Sequence, residues 1–424
     1  MITAIALTIF VVGYIGITLE HNLHVSKSAI ALAIGGLLWV VAALGAHDTH
    51  YSQDLIHTGA EIFELVMFLL AAMSIVEVLV HYQFFDLLKS KITQYSLNDQ
   101  KQFLILNTMT FFLSGIVDNL TITIVMIYMA KQFFKGENLL QTAAAIVISA
   151  NAGGAFSPLG DVTTIMLWLA GKFTASQIIF RAFLPSLAMF AVSTAMIYPK
   201  IKNGDKDTTK ENVNRLSRSE ILVVFLCFIS FGFPLVMSYL SLPPYIGLLL
   251  GLGLVWLATD LFKQISTRTT HLEISLDKLI QKTDIASIKF FVGILLAAAA
   301  LGELGILEQF AMFIFGESPT FTRIAIGNSF LGLFSAIVGN VPLTALAIEM
   351  LETSFSSLWV LLAITVGTGS SLLVIGSAAG VMAMGLVKEL NFTKYLKIAF
   401  VPVILGYIAA VVTWVIQLQI LGTA

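Results

Sequence analysis

KQFLILNTMTFFLSGIVDNLTITIVMIYMAKQFF, residues 101–134, is too long for one membrane crossing and too short for two. As a single α-helix it reaches about 50 Å, against about 30 Å of hydrocarbon. Split into two crossings, each arm falls under about 25 Å. Gly115 and Asp118–Asn119 interrupt the middle of the run. A re-entrant hairpin fits, entering and leaving on one side, with its tip covered by protein or by a water-filled cavity. Arg323–Glu352 repeats the pattern and is broken at Gly339-Asn340-Val341-Pro342.

The rest of the chain supports a membrane setting. Its 424 residues are 58% hydrophobic and 11% charged, against roughly 25% charged in soluble domains. Apolar runs near the length of a spanning helix recur along it. A net charge of −2 argues against a nucleic-acid partner. Cys227, the single cysteine, sits in an apolar run and reads as a small packing residue. The first run, 1–19, lacks a basic leading segment, and Glu20 and His21 follow where a cleavage site would need small residues. It reads as a retained span.

The chain is written twice. GGLLWV at 35–40 matches LGLVWL at 252–257, and AMSIVEVLVHYQFF at 72–85 lies on AAALGELGILEQFA at 298–311, placing Glu77 on Glu303. SGIVDNLTI at 114–122 matches SAIVGNVPL at 335–343, and AGGAFSPLGD at 152–161 aligns with TGSSLLVIGS at 368–377. The offsets, 217, 226, 221 and 216, stay nearly constant and in order, as an internal duplication requires. The expected fold is an all-α polytopic membrane protein of two repeats, 1–199 and 220–424, joined by a polar linker, 200–219. Each repeat holds five transmembrane helices, one of them discontinuous, and one re-entrant hairpin. Five is odd, so the second repeat is inverted. With the linker in the cytoplasm, all but Lys172, Arg181 and Arg323 of the 23 lysines and arginines face the cytoplasm, as the positive-inside rule demands. Both termini are then periplasmic.

Runs 140–171 and 356–387 are too long for untilted spans, and polar breaks at Asn151–Pro158 and Gly367–Gly376 interrupt them. Gly153 and Gly154 permit unusual backbone angles, and Pro158 suits the first turn of a new half-helix. Such breaks expose carbonyls and N–H groups, which transporters use at the midplane. Asp118 lies at the first hairpin tip and Asp161 just past the first break. Two readings of them stand. Each carboxylate caps a helix N-terminus, or the two help build a hard-cation site with Asn119, Thr121, Asn151, Ser157, Thr163 and Thr164, all oxygen-bearing. A carboxylate that binds a cation when ionised must release it when protonated, which is a minimal exchange mechanism.

Lesser signals read more plainly. Glu61 lies near a span end and meets headgroups or water. Glu64 and Glu77 are 13 residues apart, about 20 Å on a straight helix, so they do not share a site. Glu64 stands as a candidate for the proton pathway. His47, His50 and His57, with Asp48 and Asp54, match no definite metal motif and read as a solvated loop. Trp39, Trp256, Trp359 and Trp414 near span ends read as interfacial anchors.

These stretches together resemble the NhaD-type sodium/proton antiporter family of the ion-transporter superfamily. The resemblance is carried by HNLHVSKSAIALAIGGLLW, EIFELVMFLLAAMSIVEV, SGIVDNLTITIVM, SANAGGAFSPLGDVTTIMLW, SAIVGNVPLTALA and GTGSSLLVIGSAAGVMAMG, which span nearly the whole chain. It implies Na⁺ or Li⁺ exchanged for H⁺ across a bacterial inner membrane. It implies a homodimer with scaffold and moving transport domains, no cofactor, and Na⁺ held at Asp118, Asn119, Asn151 and Asp161. The family motifs carry over to Glu64, Ser114, Asp118, Asn119, Asn151, Asp161, Thr163, Thr164, Ser335, Asn340, Ser370 and Ser371. Gly339 departs from an aspartate common before that asparagine, which bears on cation stoichiometry. Sodium-coupled dicarboxylate symporters of the same superfamily are the rival class. They resemble this chain in architecture but carry Ser-Asn-Thr at both tips, where this chain reads Val-Asp-Asn-Leu and Val-Gly-Asn-Val.

Overall fold

The computed structural model describes residues 2–18, 25–45, 51–84, 98–203, 217–265, 283–316 and 319–422. Glu20, His21, His47, Asp48, His50 and most of the 200–219 linker lie outside the described residues. Among those described, every regular element is helical. The first half runs α1 (Ile2–Thr18), α2 (Lys27–Gly45), α3 (Tyr51–His81), α4 (Asp99–Ser114), α5 (Asn119–Phe133), α6 (Gly136–Gly154), α7 (Val162–Leu169) and α8 (Ala175–Ile197). The second runs α9 (Arg218–Ser230), α10 (Phe233–Tyr239), α11 (Pro244–Ile265), α12 (Ile285–Glu303), α13 (Ile306–Phe315), α14 (Phe321–Val338), α15 (Asn340–Met350), α16 (Ser356–Gly369), α17 (Ala378–Leu386) and α18 (Phe392–Leu421). Eight helices among the described residues are long and apolar enough to cross a membrane, so this is a multi-pass membrane protein. One of them is Phe321–Val338, so this arm of the second broken segment is longer than the sequence reading expected.

Local chemistry sets the helix starts. Asn98 caps α4, its Oδ1 accepting from Lys101 N at 3.0 Å. Thr174 and Gln177 form a capping box on α8, and Ser217 and Glu220 form one on α9. The ends of the 99–138 segment come together. Asn138 Nδ2 donates to Asp99 Oδ2 at 3.1 Å and to Lys202 O at 2.6 Å, and Gln100 Nε2 donates to Ile201 O at 3.2 Å. The rings of Phe321 and Phe355 meet likewise, 5.4 Å apart, at the ends of the second broken segment.

Packing divides the helices into two groups. α1–α3 pack chiefly with α9–α12, and α4–α8 chiefly with α14–α18, while α13 lies between the groups, touching α12, α14 and α15. The first group is fastened where α2 meets α12. Ser28 Oγ donates to Ala286 O at 2.7 Å and Trp39 Nε1 to Leu296 O at 3.0 Å. In the second group α8 and α18 lie together, with Pro185 and Pro402 inside them. The groups meet where α12 touches α15 and where α3 touches α7.

Three tryptophans correct the sequence reading. Trp39, Trp359 and Trp414 are buried in protein, and only Trp256 is partly exposed. Trp39 and Trp359 spend their N–H on Leu296 O and Thr353 O, and Trp414 stacks on Phe321. Cys227 is buried, as a packing residue should be.

Candidate functional site

The two broken segments of the first half meet at their interruptions. α4 ends at Ser114, whose Oγ donates to Ala150 O at 2.6 Å. α5 starts at Asn119, whose backbone N–H donates to Gly160 O at 2.9 Å. The second half repeats both links. Ser335 Oγ donates to Val366 O at 3.0 Å, and Asn340 N donates to Gly376 O at 3.2 Å. Each break is thus bolted to its neighbour by one serine and one backbone N–H.

The first break lies later than the sequence implied. α6 stays helical through Gly154, and α7 begins at Val162 with Asp161 as its N-cap. Pro158 therefore sits in the preceding turn and does not open the half-helix. Nor do Gly153 and Gly154 adopt unusual angles. Gly153 serves close approach instead, since a Cβ there would lie 2.1 Å from Phe111 O. Ser157 also belongs to the turn, its Oγ accepting from Leu159 N at 3.2 Å. The second break repeats the design. α16 runs through Gly369, a short 3₁₀ turn covers Ser370–Leu372, and Ser377 caps α17 by accepting from Gly380 N at 3.2 Å.

Asp161 is the centre of what remains. Its Oδ1 accepts from Thr163 N at 3.0 Å. Its Oδ2 accepts from Asn119 Nδ2 at 2.7 Å and from Asn340 Nδ2 at 3.2 Å. Asn119 Nδ2 also donates to Asn151 Oδ1 at 3.0 Å, and Asn151 Nδ2 reaches Ser371 Oγ at 2.9 Å and Ser377 Oγ at 3.0 Å. The row Asn340–Asp161–Asn119–Asn151–Ser371/Ser377 leaves the second half, crosses three residues of the first and returns to the second, and is buried throughout. Thr164 Oγ1 donates to Asp161 O at 2.8 Å, and Thr163 is buried beside it. Ser370 Oγ donates to Gly367 O at 2.7 Å and shapes the second break.

Asp118 lies next to this row without hydrogen-bonding Asp161. Its carboxylate turns back on α5, accepting from Thr121 N at 2.9 Å and Thr121 Oγ1 at 2.7 Å. Both aspartates are N-caps, and both line one cavity of about 170 Å³ together with Asn119, Asn340 and Ser377. Gly339, which takes the place of Asp118 in the second half, has φ +92°, a conformation open to glycine at little cost. That cavity extends past Tyr14 to Lys27 and Ser287, on the first turns of α2 and α12. Glu64 is elsewhere. It lines a second cavity, of about 70 Å³, with Glu61 and Glu349 between α3, α7, α12 and α15.

Ser377, Lys27 and Tyr14 escaped the sequence reading. Ser377 was within reach, because the offset of 216 pairs it with Asp161. Lys27 and Tyr14 arrive from helices distant in sequence, and no local pattern marks them.

Comparison with known proteins finds similar transporters. A family model described as citrate transporter matches residues 3–367. Sodium/proton antiporter 1 of Arabidopsis thaliana is 37% identical over 401 residues, covering 92% of this chain and 68% of that protein. Sodium/proton antiporter 2 of the same plant is 34% identical, covering 96% of this chain and 97% of its own. The Na⁺/H⁺ antiporter NhaD of Vibrio cholerae is 31% identical over 441 residues, covering 96% of this chain and 90% of that one. With relatives at 31–37% identity that cover 92–96% of it, the chain belongs to the NhaD-type sodium/proton antiporter family, whose members are membrane transporters and not enzymes.

Proposed function

We propose that the chain exchanges Na⁺, or Li⁺, for H⁺ across a bacterial inner membrane, with Asp161 as the group both ions use. The observation that carries this reading is the buried Asp161 carboxylate at a half-helix start, gripped by amides from both halves and open to a cavity shared with Asp118. Ionised, it joins amide and hydroxyl oxygens that suit a hard cation. Protonated, it has no charge to hold one. A site that takes either ion but not both is an exchanger in outline.

The donors around Asp161 define what loading requires. Asn119 and Asn340 present N–H groups to the carboxylate, and these repel a cation. Each amide must turn its oxygen inward. Asn340 Oδ1 then gives up Val341 N, which it holds at 3.0 Å, and Asn119 releases Asn151. The rearrangement reaches Ser371 and Ser377 through Asn151. Asp118 supplies a second charge beside the site.

The architecture proposed is two inverted repeats, 1–199 and 220–424, each with five spans and a re-entrant hairpin. The Asp99–Asn138 bond and the Phe321–Phe355 contact support hairpins whose ends lie on one side. The two packing groups support an elevator. α4–α8 and α14–α18 carry the site past a scaffold of α1–α3 and α9–α12, which pairs with its copy in a homodimer. Both termini face the periplasm.

A second reading is sodium-coupled dicarboxylate symport. The citrate-transporter description of the matching family model favours it, and so does Lys27 in the cavity wall. Proteoliposomes holding a pH gradient separate the two. Exchange is expected to dissipate the gradient on addition of Na⁺ or Li⁺ but not of K⁺. Uptake of succinate with Na⁺, and no proton movement with Na⁺ alone, would establish the symport.

A further inference from the structure

Among the described residues, three charged side chains line the main cavity: Asp118, Asp161 and Lys27. The exchange reading uses the aspartates and leaves the lysine unused. Lys27 opens α2, and its Nζ lies 5.7 Å from the centre of the Phe290 ring on α12. Phe290 lines the same cavity. The Ser28–Ala286 and Trp39–Leu296 hydrogen bonds hold α2 against α12. The ammonium is therefore carried by one packing group, and both aspartates by the other.

We infer that Lys27 tunes cation binding at the cytoplasmic entrance, where its charge sets the cation affinity that Asp161 shows from that face alone. The inference rests on the exchange reading. A positive charge in a narrow, low-dielectric entrance lowers the local concentration of Na⁺ and weakens its binding further in. Because Lys27 stays with the scaffold, it acts on the site only while the site faces the cavity it lines. Neutralising it removes one unit of charge from the wall, whatever else the ammonium touches. The protein thereby carries a sided threshold: the cytoplasmic Na⁺ concentration needed for half-maximal exchange is set higher than Asp161 and its amides alone would set it.

The test uses the full chain in vesicles of defined sidedness, with Na⁺-driven proton movement as the readout. At low ionic strength, Lys27→Gln is expected to lower the half-saturating Na⁺ concentration on the cytoplasmic face roughly three- to tenfold, the range for one partly screened unit charge. The value on the opposite face stays as in wild type. The difference should fade as choline chloride rises from about 0.01 M to about 1 M, over which the screening length shrinks from about 30 Å to about 3 Å. Lys27→Arg keeps the wild-type values, and Lys27→Glu moves further in the direction of Lys27→Gln. A cytoplasmic half-saturation unchanged in both Lys27→Gln and Lys27→Glu overturns the inference. So does an equal change on both faces, or a shift that salt leaves untouched. Wild-type vesicles silent to Na⁺ overturn the exchange reading itself, and this inference with it.

Discussion

Asp161 caps α7 through one oxygen and gathers Asn119 and Asn340 through the other. Asp161→Asn preserves shape and loses the charge that switches with protonation. Exchange in the purified variant is expected to fall to background while the protein stays monodisperse; Na⁺-driven proton movement near the wild-type rate would refute the assignment. Competition also fixes a sign with pH. In the acid range, where the site is protonated, apparent Na⁺ affinity should weaken about tenfold per pH unit if one proton competes, and it should level off in the alkaline range. Titration calorimetry with Na⁺ across a pH series checks this, and a flat profile would move proton coupling elsewhere, with Glu64 next in line. Gly339 makes the reverse case, where a side chain is unwelcome. With φ at +92°, Gly339→Ala should cost about 1–3 kcal/mol, read as a lowered melting temperature. The aspartates and asparagines were legible in the sequence because polar groups at membrane depth are conspicuous. Their division of labour was not. Which carboxylate turns back on its own helix, as Asp118 does on Thr121, depends on a register that composition does not reveal.

At the scale of elements, the sequence announced both broken segments through a length that fits neither one crossing nor two. It misplaced the first break by several residues, because glycine and proline mark where helices can end and not where they do. Gly153 and Gly154 stay in the helix and serve close approach instead: Gly153 makes room for Phe111 O, a packing demand between segments far apart in sequence, and Gly154 makes room for Gly160 O in the turn that follows. The hairpin reading has a direct check. Lys101, in the first turn of α4, and Lys135, just past the end of α5, are exposed. With Cys227 replaced, Lys101→Cys and Lys135→Cys are each expected to react with an impermeant thiol reagent only from the cytoplasmic face. Labelling from opposite faces would mean that the segment crosses, and the inverted repeat would fail with it.

For the whole molecule, the offsets in the sequence point to a duplication, whereas nothing in them marks the two packing groups. Each group takes corresponding elements from both halves, so its members are scattered along the chain and only the contacts reveal them. The seam between groups offers a test of movement. A Cβ built at Gly302 on α12 lies 3.8 Å from Glu349 Cβ on α15, the mean separation in disulfides. Gly302→Cys with Glu349→Cys, in a Cys227-free chain, should cross-link under mild oxidation. Exchange should then stop and return on reduction. Full exchange in the cross-linked protein would rule out sliding of one group past the other.

The two halves repeat the same links at their breaks but not the same charges. Where the first carries Asp118 and Asp161, the second carries Gly339 and Ser377, and both aspartates ride in one packing group. Under the exchange reading, any difference in their net charge between the outward and the return journey is carried through the electric field of the membrane. One elementary charge moved through 100 mV corresponds to about 2.3 kcal/mol. The resting voltage then acts as a third driving partner beside the two ion gradients, and the uneven charge of the two halves couples the carrier to it.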